Sequence, residues 1–499
     1  MAKQLQTIAI QAPGFFGLNT EDSPTSLPEQ YALDATNCVI DKFGRVGARK
    51  GWEYVTTTNG DSIVSMGEFV KEDGTTELIS TSPTAIYKGT ETLTNITPIG
   101  YTVTDGYYCH ASLNGKHYMF RKGVKPLVYD GTSAMTIEDH PDYSGTVPEA
   151  NAALSAFGRL WVANTSGDST VVYWSDLLTG MKWDTGSSGF IDVSKVWADG
   201  TDTITALASH NNFLIIFGTR QILIYQGATD PATMSIADTI VGIGCVARDS
   251  VQATGKDLLF LSDSGIRTLS RTVQEKSAPI ADVSKNVRSA LLGSYGAELG
   301  HIISAYSPEE AMYLITFPTS GTTYYFDTRT PLQDGSYRSA RWTIITPQCY
   351  TRTRDGDLLL GKPSGIAEYR NYKDNGLEYQ LSYFTNYFDF GAPSNLKLLK
   401  NLKITVIGGS ATDVVLNWGY DYSYAYKKKT FTLTTQVISE YNIAEYNEGE
   451  FNAGILVNRP TVNASGGGQV VQLGIEATIF GAPLSIQRLT AQAVVGRTV

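Results

Sequence analysis

Seven times along the chain a polar turn gives way to a short apolar or aromatic run, a second polar turn and another such run. The copies are TELISTSPTAIYKG (76–89), NGKHYMFRKGVKPLVYDG (114–131), FGRLWVANTSGDSTVVYWSD (157–176), NNFLIIFGTRQILIYQG (211–227), GKDLLFLSDSGIRTLSR (255–271), EAMYLITFPTSGTTYYFDT (310–328) and GDLLLGKPSGIAEYR (356–370). They recur at roughly 40 to 55 residues, the period of a propeller blade. One such hairpin cannot bury its own faces. Several arranged radially can, and the ring leaves only short, protected edges.

The pattern differs at both ends. Residues 1–58 form an extended leader that fits no blade. Its apolar residues Phe15, Phe16 and Leu18 lie among Pro13, Gly14, Gly17, Pro24 and Pro28, so it needs something to pack on. Residues 27–35 (LPEQYALDA) read as a short helix. CVID, a turn at 42–44 and RVGARKGWEYV then read as a hairpin entering the first blade. Residues 59–375 carry the propeller, with two insertions. One is a helix over 281–293, with Asp282 or Ser284 as cap and Val283, Val287, Leu291 and Leu292 on one face. The other is a loop over 194–204. Beyond 375 the chain turns to long alternating strands with Gly turns, which predicts a β-sandwich-like domain over 376–499. The strands at 470–480 and 484–495 are expected in the same sheet system. The Tyr-rich segment 439–455 is expected to be a long loop and a contact surface. The fold class is all-β: a propeller of six or seven blades, an extended N-terminal leader and a C-terminal sandwich.

Composition agrees, with 48 Gly and 29 Tyr, 42% hydrophobic and 18% charged residues. The net charge of −10 argues against a protein that grips nucleic acid, because gripping neutralises phosphates with clustered Lys and Arg. It leaves room for one that lets nucleic acid slide past. Cys38, Cys109, Cys245 and Cys349 lie far apart without CxxC pairing, as expected of reduced, packed thiols. The start lacks a secretory layout and no apolar run reaches bilayer length, so folding in a reducing cytosol is expected.

The five histidines (His110, His117, His140, His210, His301) have no metal-ligand spacing, and no HExxH, GxSxG or P-loop occurs. Carboxylates gather at Asp199 and Asp202, at Asp263, and at Asp355 and Asp357. Such pairs could serve a glycosidase or hold calcium, but Asp before Gly is also what tight turns require, and the turn reading is preferred. LSDSGIRTL (261–269) shares only the Asp-x-Gly core of a sialidase box. Lys427, Lys428 and Lys429 follow the aromatic YDYSYAY. They are a candidate partner or DNA contact, weighed against a solvated edge strand blunted by lysines. No catalytic residue, cofactor or metal is expected, and the chain is not expected to be an enzyme. A carbohydrate-binding or glycan-degrading propeller, using Asp202 or Asp357, is the alternative.

The leader GFFGLNTEDSPTSLPEQYALDATNCVIDKFGRVGARKGWEYV (14–55) resembles the opening of tail nozzle proteins of short-tailed bacteriophages, also called tail tubular protein B or DNA-stabilisation proteins. The resemblance rests on Gly17–Thr20, the acidic Pro-containing turn 21–28, the 31–37 stretch, 44–46 and the Arg49-to-Gly51 step, with Lys50 where the family has Pro. AFGRLWVAN with VVYWSD (156–164, 171–176) resembles a blade of that family, and YFDFGAPSNLKLLKNLKITV (387–406) its strand after the propeller. The resemblance implies a homo-hexameric ring below the portal and adaptor, in the virion tail, after assembly in host cytoplasm. Genomic DNA would pass through its lumen without sequence-specific binding, and tail fibres or spikes would attach. Phe15, Phe16, Leu18 and Asn19 of the leader would dock on the adaptor or a neighbour.

Overall fold

A computed structural model describes residues 5–57, 60–270, 273, 283–433, 437–438 and 455–498. Each of the seven hairpins supplies the second and third strands of one blade. Blade 1 runs Ser65–Val70, Thr76–Thr81, Ile86–Lys88, Thr94–Asn95 and blade 2 Cys109–Leu113, Lys116–Arg121, Val124–Tyr129, Ala134–Thr136. Blade 3 is Ala150–Ala156, Arg159–Thr165, Val171–Trp174, Gly189–Asp192, and blade 4 is Ile204–His210, Phe213–Gly218, Gln221–Gln226, Ser235–Val241. Blade 5 has three strands, Gln252–Ala253, Leu258–Ser262 and Gly265–Thr268. Blade 6, Ile303–Ser307, Met312–Phe317, Thr322–Asp327 and Arg338–Trp342, runs on into a larger sheet. Blade 7 takes Cys349–Arg352, Leu358–Lys362 and Gly365–Arg370, and its outer strand Gly51–Tyr54 comes from the leader. Six sheets therefore stand alone as blades, and the seventh unit is continuous with the neighbouring domain. The first strands lie side by side around an axis, and that of blade 7 lies beside that of blade 1.

The apolar runs follow from burial on both faces. Side chains alternate along a strand, so in FLIIF the pair Leu214 and Ile216 packs toward Trp161 and Val172 of blade 3, while Ile215 and Phe217 pack toward Phe260 of blade 5. An apolar cluster of this kind fills each gap between blades, for example Phe69, Ile79, Tyr108 and Met119 between blades 1 and 2. Each such side chain contributes about 1.5–3 kcal/mol by leaving water.

Two sheets make the C-terminal domain. One continues from blade 6: Arg338–Trp342, then the leader strands Gly17–Leu18 and Tyr31–Thr36, then Tyr379–Phe388, Val471–Ile479, Asp413–Tyr420 and Lys427–Thr432 at the edge. The other centres on Asn395–Gly408 paired with Leu484–Thr498. Along the far edge of Leu484–Thr498 lie Leu5–Gln11 and the hairpin Cys38–Ile40, Val46–Ala48. Leu402, Ile404 and Leu489 from one sheet and Leu416, Leu473 and Ile475 from the other belong to a single core, which also takes in Tyr313 and Trp342 of blade 6.

The structure corrects four expectations. Tyr31–Thr36 is a strand, not part of a helix over 27–35, because it is held between Gly17–Leu18 and Tyr379–Phe388, whose pairing outweighs local helix preference. The hairpin after it does not enter the first blade: Gly51–Tyr54 joins the last blade by antiparallel pairing with Gly365–Arg370. The strands Val471–Ile479 and Leu484–Thr498 belong to different sheets. The inserted helix begins later than expected, as a short 3-10 turn Lys285–Val287 leading into Arg288–Gly296. Ser284 does not cap it, since its hydroxyl accepts from the Ile266 N–H instead. Val283, Val287 and Leu291 are buried as expected. The 439–455 loop lies outside the described residues except at Ile455, the first residue of a strand.

Candidate functional site

The first strands of the blades enclose an axial cavity of about 400 Å³, where the ring of strands leaves Ser65, Ala152, Ala153, Ala206, Ala208 and Ser304 facing a narrow space. These small side chains keep it open. Arg248, in a 3-10 turn before blade 5, extends to blade 3 and donates from Nη1 to the Asn151 carbonyl at 2.6 Å. Its Nε and Nη2 meet the two carboxylate oxygens of Asp249 at 2.7 and 2.8 Å. Burial works against the Arg248 charge, but Asp249 beside it outweighs burial and holds the guanidinium more firmly protonated than usual. Burial also pushes the Cys109 thiol up, away from the reactive thiolate.

From this cavity a hydrogen-bonded chain runs between blades 1 and 2. Ser65 Oγ is 2.9 Å from His110 Nε2, His110 Nδ1 is 2.9 Å from His117 Nε2, and His117 Nδ1 is 2.8 Å from Ser112 Oγ. Burial pushes His117 down to about 3, and burial, then His117 and Arg248, hold His110 well below its usual range. A serine beside a histidine invites comparison with a nucleophile and its base. A general base must accept a proton, and here both rings resist one. Ser65 Oγ also donates to the Gly106 carbonyl, so the chain acts as a polar clamp between blades. Gly67 makes room for it: a Cβ there would lie 2.6 Å from His110 Cβ.

The other candidate residues lie elsewhere. Phe15, Leu18 and Asn19 are buried within this chain (0%, 4% and 1% exposed) and so are not on offer to a partner. Phe15 packs edge-on to Tyr383, and half-buried Phe16 packs on Tyr31 under Arg338. Asn19 Oδ1 accepts the N–H groups of Glu21 and Asp22, shaping the acidic turn. Lys427, Lys428 and Lys429 lie exposed on the edge strand, with Lys428 at 3.7 Å from Glu476 and Lys427 donating to the Ser465 carbonyl. Asp202 is 8% exposed and accepts from the N–H group of Thr203 and from those of Thr219 and Arg220, so it ties its own loop to the turn between the two middle strands of blade 4. Asp357 lies in the turn between the first two strands of blade 7, and its N–H donates to Thr353 Oγ1. Among the described residues no group of three His, Cys, Asp or Glu converges on a metal-sized space, and no helix is long and apolar enough to cross a membrane.

The joint between leader, propeller and sandwich was not singled out by its charges in the sequence. Arg49, fully buried, meets Asp374 through Nη1–Oδ1 at 2.8 Å and Nη2–Oδ2 at 2.7 Å. Nη1 also donates to the Lys50 carbonyl, Nε to Asn37 Oδ1 at 3.3 Å, and the guanidinium lies 4.0 Å from the Tyr379 ring. Asn37 in turn bonds Thr343 and the Gln380 carbonyl. Two residues on, a Cβ on Gly51 would fall 1.9 Å from the Lys373 carbonyl oxygen, so only glycine lets the closing strand approach. Gly17, with φ of 82°, is equally pressed: a Cβ would lie 2.3 Å from the Ser339 carbonyl oxygen.

No protein-family model matches the chain, and no curated protein does. Among solved structures it is similar to the extracellular domain of BT4673 from B. thetaiotaomicron, at 11% identity and a TM-score of 0.41 over 65% of this chain. The match spans 40% of that domain's length. It is also similar to the Neurospora crassa Pan2 WD40 domain (11%, TM-score 0.35, 66% of this chain and 97% of that one) and to YCF48 bound to D1 peptide (11%, 0.36, 64% and 97%). Likeness at this level concerns fold alone.

Proposed function

We propose that this chain is a structural subunit of a phage tail nozzle: a homo-hexameric ring that extends the head-to-tail channel, retains packaged DNA and conducts it at ejection. The observation that supports this most is where the resemblance to nozzle proteins falls. Gly17, Asn19, Asn37, Arg49 and Gly51 all lie in the leader that resembles that family. Asn37, Arg49 and Gly51 have defined places in the joint that fixes propeller to sandwich, Gly17 is pressed against Ser339 of blade 6, and Asn19 shapes the acidic turn. The motif is thus a rigidity element, suited to a wall unit that must not flex while DNA moves past. The charge is compatible. Six copies carry six times −10, that is −60, and a wall of net negative charge repels a duplex rather than holding it. Attachment to adaptor or neighbour would use the leader's exposed parts, such as Leu5 and Phe43, instead of the buried Phe15 and Leu18. Identical units making head-to-tail contacts form a ring when the rotation between neighbours closes.

The test is density-gradient sedimentation of lysate from the native source, read by mass spectrometry. Co-migration with DNA-filled particles, together with portal and adaptor chains, is the expected result. Recovery only as a soluble monomer absent from particles would overturn the proposal.

A further inference from the structure

A groove crosses the edge of the sandwich where the leader turn 24–29 lies against Tyr387 and Tyr422. It has two lobes, of about 700 and 390 Å³, both within the range of ligand pockets. They share Pro24, Tyr387 and Tyr422, and the two tyrosine rings lie 4.4 Å apart between them. Tyr424 and Tyr426 line the smaller lobe. The segment that presents Tyr422 and Tyr424 is reversed by two successive left-handed residues, Asp421 at φ 50° and Tyr422 at φ 56°. A bulky residue in that region is uncommon and costs on the order of 1–3 kcal/mol, a form of strain that gathers at binding sites. Tyr424 is 87% exposed and Tyr422 44%, a large aromatic area left in water.

The second observation lies in the larger lobe. Asn386, 2% exposed, lines it and donates from Nδ2 to the Leu27 carbonyl, while its Oδ1 has no hydrogen-bond partner. A buried acceptor without a donor costs about 1–3 kcal/mol; this one is sealed beneath the lobe's surface, and a ligand O–H would reach it only if the Asn386 side chain turned. The charged lining among the described residues is acidic: Glu29, Asp389 and Asp421 in the larger lobe and Asp34 in the smaller, with no Lys or Arg among them. Burial, and then Asp389, push the Glu29 carboxyl up. Three of these carboxylates already hold donors of this chain: Asp421 from the N–H groups of Gln469 and Val470, Asp389 from that of Gly391, and Asp34 from the Thr36 and Ser382 hydroxyls. They therefore offer single acceptor positions more than open ports for a cation. They also repel phosphate and acidic sugars.

We infer that this groove binds a neutral oligosaccharide, its ring faces on Tyr422 and Tyr424 and its hydroxyls on the carboxylates. Tyrosine suits this role, with an apolar face for ring C–H groups and a polar edge. The site is on the sandwich, not the propeller, and is independent of the nozzle proposal.

The experiment is calorimetric titration of the full chain with maltohexaose, cellohexaose, chitohexaose and mannohexaose, beside an oligolysine peptide. At least one hexasaccharide is expected to bind. Tyr422→Ala and Tyr424→Ala are each expected to weaken it about tenfold or more, as truncating a central aromatic contact does. Lys429→Ala, on the edge strand outside the groove, should leave it unchanged. Because Tyr424 is exposed, its loss leaves the fold intact, so the result reads the groove. Binding of none of the four sugars overturns the inference, as does sugar binding indifferent to both tyrosine variants, or oligolysine binding in their place. Sedimentation with particles is expected to be the same for both tyrosine variants, which keeps the two proposals separable.

Discussion

Replacing Arg49 with alanine should unfasten the leader from both domains at once. The substitution removes the two-pronged contact to Asp374, the bond to Asn37 and the stacking on Tyr379. It leaves the Asp374 carboxylate, 3% exposed, without its principal partner. Lys362, also buried and pushed down to about 8 by burial, is a further cation that feels Asp374. Breaking a buried pair by removing one partner costs about 3–5 kcal/mol, most of it from the stranded charge. Urea unfolding followed by tryptophan fluorescence, with trypsin cleavage within 31–54 as a local probe, should show a first transition shifted by that amount. A second outcome is expected: Arg49→Met with Asp374→Leu, which removes both charges and keeps volume, should recover most of the loss. If Arg49→Ala unfolds within about 1 kcal/mol of the parent, or the double variant is no better than the single, the joint is not held in this way.

Two further outcomes are expected. Gly51→Ala should destabilise by about 1–3 kcal/mol or more, since its Cβ meets the Lys373 carbonyl at 1.9 Å; Gly293→Ala, in the helix with open space around it, should stabilise by about 0.5–1 kcal/mol, and thermal melts of the two check the contrast. His110 and His117 accept protons less readily folded than unfolded, where histidine titrates near pH 6.5. The unfolded chain therefore binds more protons below that pH, and stability should fall as pH drops from about 6.5 toward 3, by at most about 2.7 kcal/mol per pH unit for two rings. His110→Gln with His117→Gln should flatten this dependence in urea midpoints measured between pH 8 and pH 5; an unchanged acid slope would place its origin elsewhere.

The propeller was legible because its hairpins repeat, and a repeat needs no knowledge of what lies across the gap. All seven hairpins are the second and third strands of blades, and the strands after residue 376 are strands in the fold. What could not be read was pairing between distant segments. LPEQYALDA carries a plausible helix pattern, and nothing nearby in sequence says that Tyr379–Phe388 will pair with it. Phe15 and Leu18 read as sticky residues awaiting a partner, and the partner is their own chain more than 300 residues on. Arg49 shows the same limit: alone it is an ordinary cation, and its meaning comes from Asp374, 325 positions away. Asp202 shows the same limit: of its three backbone donors only the Thr203 N–H is local, and the other two, Thr219 and Arg220, come from a turn 17 and 18 positions on. The tyrosine groove was half visible, its aromatic segment conspicuous in sequence but its Asn386 and leader wall supplied only by folding.

The strand Gly51–Tyr54 leaves the ribosome before any blade, yet its place is at the rim of the last one. Leu5–Gln11 must wait longer still, for Leu484–Thr498. During synthesis the leader is an unpaired edge for nearly the whole of translation, and long-range pairing of this kind is slow and open to misassociation. A chain stopped short of residue 370 would lack the hairpin that accepts the closing strand, and one stopped before residue 484 would lack the strand that accepts Leu5–Gln11. Synthesis of Leu484–Thr498 thus acts as a licence for the closed shape, because shorter copies lack the strand on which Leu5–Gln11 pairs.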